Sequence, residues 1–263
     1  MFFVILLGAT SLLAAAPVLG PAKPAGVTVL GEPKAVAQYG KVGLHFEPNE
    51  GQWDGRVRFL ARGSGYTLFL TETESVLRMK QAVLRMKLVG STPTSQWEGV
   101  ARREGVSNYY GPRRETWRSG VPQFDGVKGR RVYPGIDVVY RSQGRNYEYD
   151  FVVAPGADPN AIRLAWEGAQ AMEIGSNGDL VLETGGEPVV QKKPRVYQDI
   201  DGKRVEIAAN FARKGDREVG FELGEYDRSH ELVIDPVVIV YSTFLGGSAG
   251  DDINALRVDP TGI

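Results

Sequence analysis

Glu148 and Asp150 stand two residues apart in the run Asn146 to Val153, and an extended strand places such neighbours on one face. Tyr147, Tyr149 and Phe151 then share the opposite face. Two carboxyl groups at a fixed separation are what glycoside hydrolysis uses, one as acid and the other as base or nucleophile. The competing role is an outward strand face on which the carboxylates pair with arginines such as Arg141 and Arg145. A second candidate lies near the end of the chain, where Gly246-Gly247-Ser248-Ala249-Gly250 has the form of a nucleophile elbow. That elbow needs a strand before it, a helix after it, and an acid and a histidine further on. Here Ile253 to Val258 alternates like a strand and no histidine follows Ser248, so the elbow has no partners.

The same stretch offers the side-chain oxygens of Asp251, Asp252 and Asn254 to a hard cation such as calcium. The simpler role is a turn whose aspartates cap local N–H groups. No other cofactor is expected. The chain has no cysteine and only two histidines, His45 and His230, which removes thiolate chemistry, disulfides and multi-histidine metal sites. Four aromatics, Trp97, Tyr109, Tyr110 and Trp117, fall in a segment broken by Gly, Pro and Arg. They are the candidate ligand-binding residues, by stacking, and the alternative is that they cap a sheet. Arginine pairs at 102–103, 113–114 and 130–131 suggest an anion-binding patch, but Glu104, Glu115 and Asp125 are interspersed and no nucleic-acid motif is present. No nucleic-acid partner is expected.

The elements that must position these residues are strands. Val57–Leu60 and Tyr66–Leu70 flank Gly63-Ser64-Gly65 as a hairpin, and Ile136–Tyr140 with Asn146–Val153 forms another. Val76-Leu-Arg-Met-Lys80 and Val83-Leu-Arg-Met-Lys87 repeat the same letters seven residues apart. Two copies do not make a coiled coil, and the β-rich surroundings favour two strands or one long bent strand. Gly90 to Gly120 is less regular. Ala154-Pro-Gly-Ala-Asp-Pro159 marks an internal boundary, after which short strands alternate with turns such as Ser176-Asn-Gly-Asp179 and Asp201-Gly202. Asp235 before Pro236 reads as a turn. The pattern predicts an all-β protein of β-sandwich-like modules: a first unit over 44–156 and a second over 157–236.

Phe2 to Leu19 is apolar with small residues at its end, the form of a secretory leader, so residues 1–25 are expected to be a signal peptide and 26–43 a linker. Hydrophobic and charged fractions of 42% and 24% suit a globular chain, and a net charge of -1 gives no general attraction to nucleic acid or anionic lipid. Val237 to Ile263 holds two β runs and two turns, too few to bury a face alone.

Several phrases together carry a family resemblance: Phe46 to Thr71, Val83 to Gly90, Ser107 to Gly111, Val132 to Tyr140, Glu148 to Pro159 and Leu232 to Ser248. In these the chain resembles the N-terminal domain of unknown function of secreted bacterial proteins that carry SBBP-type β-propeller repeats. The resemblance implies an exported bacterial protein whose residues 237–263 open a propeller repeat. A propeller closes with about four to eight blades, so the chain reads as a fragment or a truncated gene product ending in its first repeat, the partner in a full-length protein being the downstream repeats. Taken together, the expected role is a non-catalytic structural or interaction module at the cell surface or secreted. Its expected contacts are a glycan or another envelope component, in adhesion. The alternative is an extracellular polysaccharide hydrolase using the carboxylate pair.

Overall fold

The computed structural model describes residues 43–240 except residues 64, 94–95 and 144–145, all within a unit running Gly43–Ile263. The leader, the linker and the stretch with Ser248, Asp251, Asp252 and Asn254 lie outside the described residues. What is described is almost wholly β, as its alternating apolar pattern requires, and every strand pairing is antiparallel.

The first half of the chain supplies β1 (Phe46–Pro48), β2 (Phe59–Gly63), β3 (Tyr66–Leu70), β4 (Glu74–Met79), β5 (Val83–Leu88), β6 (Trp97–Tyr109), β7 (Arg118–Tyr133), β8 (Ile136–Gln143) and β9 (Asn146–Val153). The second half supplies β10 (Leu164–Glu167), β11 (Ala171–Ile174), β12 (Leu180–Glu183), β13 (Val189–Gln191), β14 (Arg195–Ile200) and β15 (Lys203–Ile207). β16 (Ala209–Gly215), β17 (Glu218–Leu223), β18 (Leu232–Asp235) and β19 (Val238–Val240) complete it. A large sheet runs in the order β15-β14-β18-β9-β8-β7-β1-β2-β3-β4-β5-β10-β17-β16, with β6 branching from β7. Its two end strands, β15 and β16, follow each other in the chain with only Ala208 between them. The sheet therefore curls until the backbone itself joins its ends, which is one way to remove exposed edges. A small sheet, β11-β12-β13-β19, turns Met172, Leu180, Leu182, Val189 and Val238 into the same core.

The expected hairpins form where the glycine turns predict them: β2–β3 and β8–β9 pair in full register. The seven-residue repeat becomes two paired strands, β4 and β5. Two expectations need correction. Gly90 to Gly120 is not irregular: most of it is the 13-residue β6, running into a ribbon with the 16-residue β7. Nor does the 154–159 break separate two sheets, because β5 pairs with β10 and β9 with β18 across it. Turn-forming residues there end a strand, and long-range pairing then knits both halves together.

Aromatic rings run through the core. Tyr140 meets Tyr149 at 6.0 Å between centroids, Tyr149 meets Phe151 at 5.8 Å, Phe151 meets Phe221 at 6.1 Å and Phe221 meets Phe211 at 5.7 Å. A buried phenol needs a partner for its hydroxyl. Tyr133 donates to the Arg163 carbonyl at 3.1 Å, and Tyr149 donates to Gln191 Oε1 at 2.8 Å. The second bond links the large sheet to the small one, since Gln191 belongs to β13. Tyr149→Phe should leave that buried amide oxygen unpaired and lower stability by about 1–3 kcal/mol. Urea unfolding should show a lower midpoint with an unchanged slope. An unchanged midpoint would mean that this bond does not hold the sheets together.

Candidate functional site

Glu47, in the middle of β1, faces across to Leu60 of β2, on the side opposite the buried Phe46. That outer side is not open. Val57, Leu60, Phe69 and Val76 form a second small core there, with Trp53 packed on Phe69 at 5.3 Å. Glu47 is only 3% exposed, so its charge needs donors. His45 Nε2 lies 2.9 Å from Oε1, and Ser107 Oγ donates to the same oxygen at 2.6 Å. The Tyr109 hydroxyl donates to Oε2, and Arg62 Nη2 reaches that oxygen at 3.4 Å while also bonding the Tyr109 hydroxyl. Burial alone would raise the carboxyl, but the bonds from His45, Ser107 and Tyr109 and the Arg62 charge outweigh it and hold Glu47 at about 2. Burial and the bond to Glu47 push Tyr109 up to about 12.

The chemistry of this knot is that of a fastener. Ser107 donates to a carboxylate too acidic to take its proton, and His45 bonds that carboxylate rather than the hydroxyl. The knot instead ties β6 to β1 and β2. Arg103 adds to the tie: its guanidinium donates to the Gly43 and Leu44 carbonyls at 3.2 and 2.8 Å and pairs with Asp125 at 2.6 Å.

The loop after β1 is built by Asn49. Its amide donates to the Asp54 and Val57 carbonyls at 2.7 and 3.0 Å, and its oxygen accepts from the Gly51 and Trp53 N–H groups at 3.1 Å each. Gly51 has φ +95°, and a Cβ there would lie 3.0 Å from Arg118 Nη2. The positive φ calls for glycine, and the absent Cβ leaves room for the Arg118 guanidinium. Arg118 in turn donates to the Glu50, Glu115 and Trp117 carbonyls at 2.7, 3.1 and 2.8 Å, which binds this loop to the tip of the β6–β7 ribbon.

At that tip Tyr110 and Trp117 stand 65% and 41% exposed, edge to face at 5.0 Å. The indole N–H donates to the Gly111 carbonyl at 2.7 Å, and the Arg114 guanidinium carbon sits 5.7 Å from the indole centroid. Of the four aromatics expected to bind ligand, the structure therefore groups only these two. Tyr109 points to the knot. Trp97, at the far end of β6, lies over Gly129 and packs on Tyr140 at 6.3 Å as part of the core wall. The other two arginine pairs do not join the tip as a patch: Arg130 pairs with Glu98 at 2.5 Å, and Arg103 is engaged as above.

Glu148 and Asp150 do share one face, and Arg141 pairs with Asp150. The structure adds Asp235, which the sequence suggests only as a turn residue. Register along β9 and β18, continued by the Glu148–Val237 bridge, sets Asp235 opposite Asp150. Asp150 is 4% exposed; burial pushes it up to about 7, Arg141 opposes this, and Asp235 and Glu148 add to it. Burial and Asp235 raise Glu148, and burial raises Asp235 against the charges of Arg195, Arg141 and Arg204. Among the described residues no cluster of His, Cys, Asp and Glu has the geometry to hold a metal ion.

An exposed aromatic tip fastened to an almost closed antiparallel sheet describes a class of all-β domain. The chain belongs to the family described as Domain of unknown function (DUF7948), whose pattern matches residues 46–237. That span begins at β1 and takes in the ribbon, all three raised carboxylates and every member of the knot but His45. No curated protein and no solved structure matches the chain.

Two expected outcomes follow from the two buried carboxylates. Glu47 is depressed on folding, so its contribution is present above the ordinary glutamate range and is lost as pH falls towards 2. Glu47→Gln should cost about 2 kcal/mol at pH 7, and melting curves should show the gap to wild type narrowing in acid. Asp150 is raised, so the fold should lose stability as pH climbs from about 4 through about 7. Asp150→Asn should therefore be more stable than wild type at pH 8, by up to about 4 kcal/mol. That gain should vanish near pH 4; a variant equally destabilised at both pH values would refute the assignment.

Proposed function

We propose that this chain is an exported, non-catalytic interaction module that contacts glycan through Tyr110 and Trp117. The observation that carries this reading is the exposed edge-to-face pair at the ribbon tip. Its indole N–H is already satisfied by Gly111, so what the indole offers outward is ring surface. Ring surface stacks on the apolar faces of sugars, and fixing the rings beforehand lowers the ordering cost of binding. At Trp117 the bond from its indole to Gly111 and the bond from Arg118 to its carbonyl do that fixing, while Glu47 holds the neighbouring Tyr109. The leader-like N-terminus favours an extracellular setting. The resemblance to propeller-bearing proteins favours a place ahead of such repeats, as a module that presents its ribbon outside the cell.

The test is retention of the purified protein on a panel of immobilised polysaccharides. Wild type should be retained by at least one polymer. A Tyr110→Ala/Trp117→Ala variant should lose at least tenfold in affinity, about 1.4 kcal/mol, at an unchanged melting temperature. Wild-type protein that binds none of the polymers would overturn the reading.

One observation favours a second reading, a polysaccharide hydrolase. A carboxyl held near neutrality beside other carboxylates is how a glycosidase prepares its acid. Against it, Asp150 is buried and bonded to Arg141. Hydrolysis by an active preparation that persists in Glu148→Gln/Asp150→Asn would dismiss this pair.

A further inference from the structure

We infer that the ribbon tip selects sugars bearing a carboxylate, the uronic acids of acidic polysaccharides, and that Arg114 is the residue that reads the acid. This rests on the tip being a glycan contact. It adds what the rings alone do not supply, a choice among sugars.

The arginines around the tip are not equivalent. Arg118 is committed to three backbone carbonyls. Arg62 is committed to Tyr109 and Glu47. Arg113 stands 3.7 Å from Glu115. Arg114, exposed and lying over the ring of Trp117, has no ion pair and no side-chain hydrogen bond among the described residues. It is the guanidinium whose donors are left over, and, sitting over the indole ring, it is within reach of a sugar that rests on the exposed tip rings.

A pyranose that places its apolar face on an aromatic ring directs its equatorial substituents sideways. In a uronic acid one of these is a carboxylate. The planar fork of a guanidinium meets a planar carboxylate with two parallel N–H···O bonds, which an ammonium cannot copy. Glu115, the next residue in the chain, is engaged by Arg113 at 3.7 Å. A neutral sugar would gain only the ring contact. Charge complementarity thus favours the acidic ligand, and the gain should be sensitive to salt because the site is open to solvent.

Affinity electrophoresis of the full chain tests this, using gels that contain polygalacturonate, a neutral glucan or dextran sulfate. The expected result is retardation by polygalacturonate at least tenfold stronger than by the neutral glucan, weakening as ionic strength rises. Arg114→Gln should erase that preference while leaving the weak neutral retardation in place. Arg114→Lys should restore only part of it. Arg113→Gln removes the same formal charge one residue away and should keep the preference, which separates a positioned group from a general positive field. Equal retardation by the acidic and neutral polymers would overturn the inference and leave the glycan reading standing. So would stronger retardation by dextran sulfate, or equal losses in Arg113→Gln and Arg114→Gln. Retardation by none of the three gels would overturn both.

Discussion

A carboxylate placed where water cannot reach it must find donors or give up its charge. Glu47 finds them on β2, on β6 and at His45 just before β1, and the geometry of the ribbon depends on that. The backbone joins β6 to the sheet only through β7, so ladder bonds alone would leave β6 a long, largely exposed edge. Ser107 and Tyr109 turn that edge into an anchored one by bonding a group on β1. The tie is local, but its effect reaches one residue further along the chain. With Tyr109 fixed inward, Tyr110, the first residue past the end of β6, stands exposed.

Comparison of the two most buried carboxylates shows what decides their state. Glu47 and Asp150 are exposed to nearly the same extent, 3% and 4%. Burial pushes both up, yet one ends at about 2 and the other at about 7. The difference lies in the company each keeps. Glu47 accepts from a serine, a tyrosine and a histidine and sits near one guanidinium. Asp150 has Arg141 but faces Asp235 across the ladder with Glu148 two residues away, and like charges directly opposite are destabilising. Arg195 and Arg204 lie close enough to Asp235 to temper this cluster without neutralising it. The first carboxylate acts as a fastener at all but extreme pH, while the second places a cost on the fold at neutral pH.

The sequence makes the class of fold readable because hairpins leave local marks. A glycine turn between two alternating runs predicts β2–β3 and β8–β9, and both form. What is not local is lost. The β6 strand hides behind arginines and glycines because it is an exposed edge, where alternation has no apolar face to reveal it. Glu47 hides for a related reason: the alternation of Leu44, His45, Phe46 and Glu47 assigns it to solvent. Only the packing of Leu60, Phe69, Val76 and Trp53, gathered from the loop and strands that follow it, makes that outer side an interior. The same blindness spreads over the aromatics. Tyr109 and Tyr110 are adjacent and identical in type, and nothing in their spacing tells which is structural. Asp235 is visible as a turn before proline, but its carboxylate becomes part of a cluster only through the long-range pairing of β18 with β9.

Two of the phrases that carry the family resemblance, Phe46 to Thr71 and Ser107 to Gly111, meet at the Glu47 knot. This convergence argues about where function sits. Within the first phrase, Glu47 holds the ribbon, Asn49 shapes the loop, Gly51 lets Arg118 approach and Trp53 covers the outer core. None of these side chains is left free to react, and each is engaged in placing another element. A set of residues that anchors the ribbon as an edge also holds its end in place, which is what the proposed contact at the tip would need. The physical case for a contact surface at Tyr110, Arg114 and Trp117 therefore rests less on those three residues than on the bonds of Glu47 and Arg118 that hold the ribbon and the loop beside it.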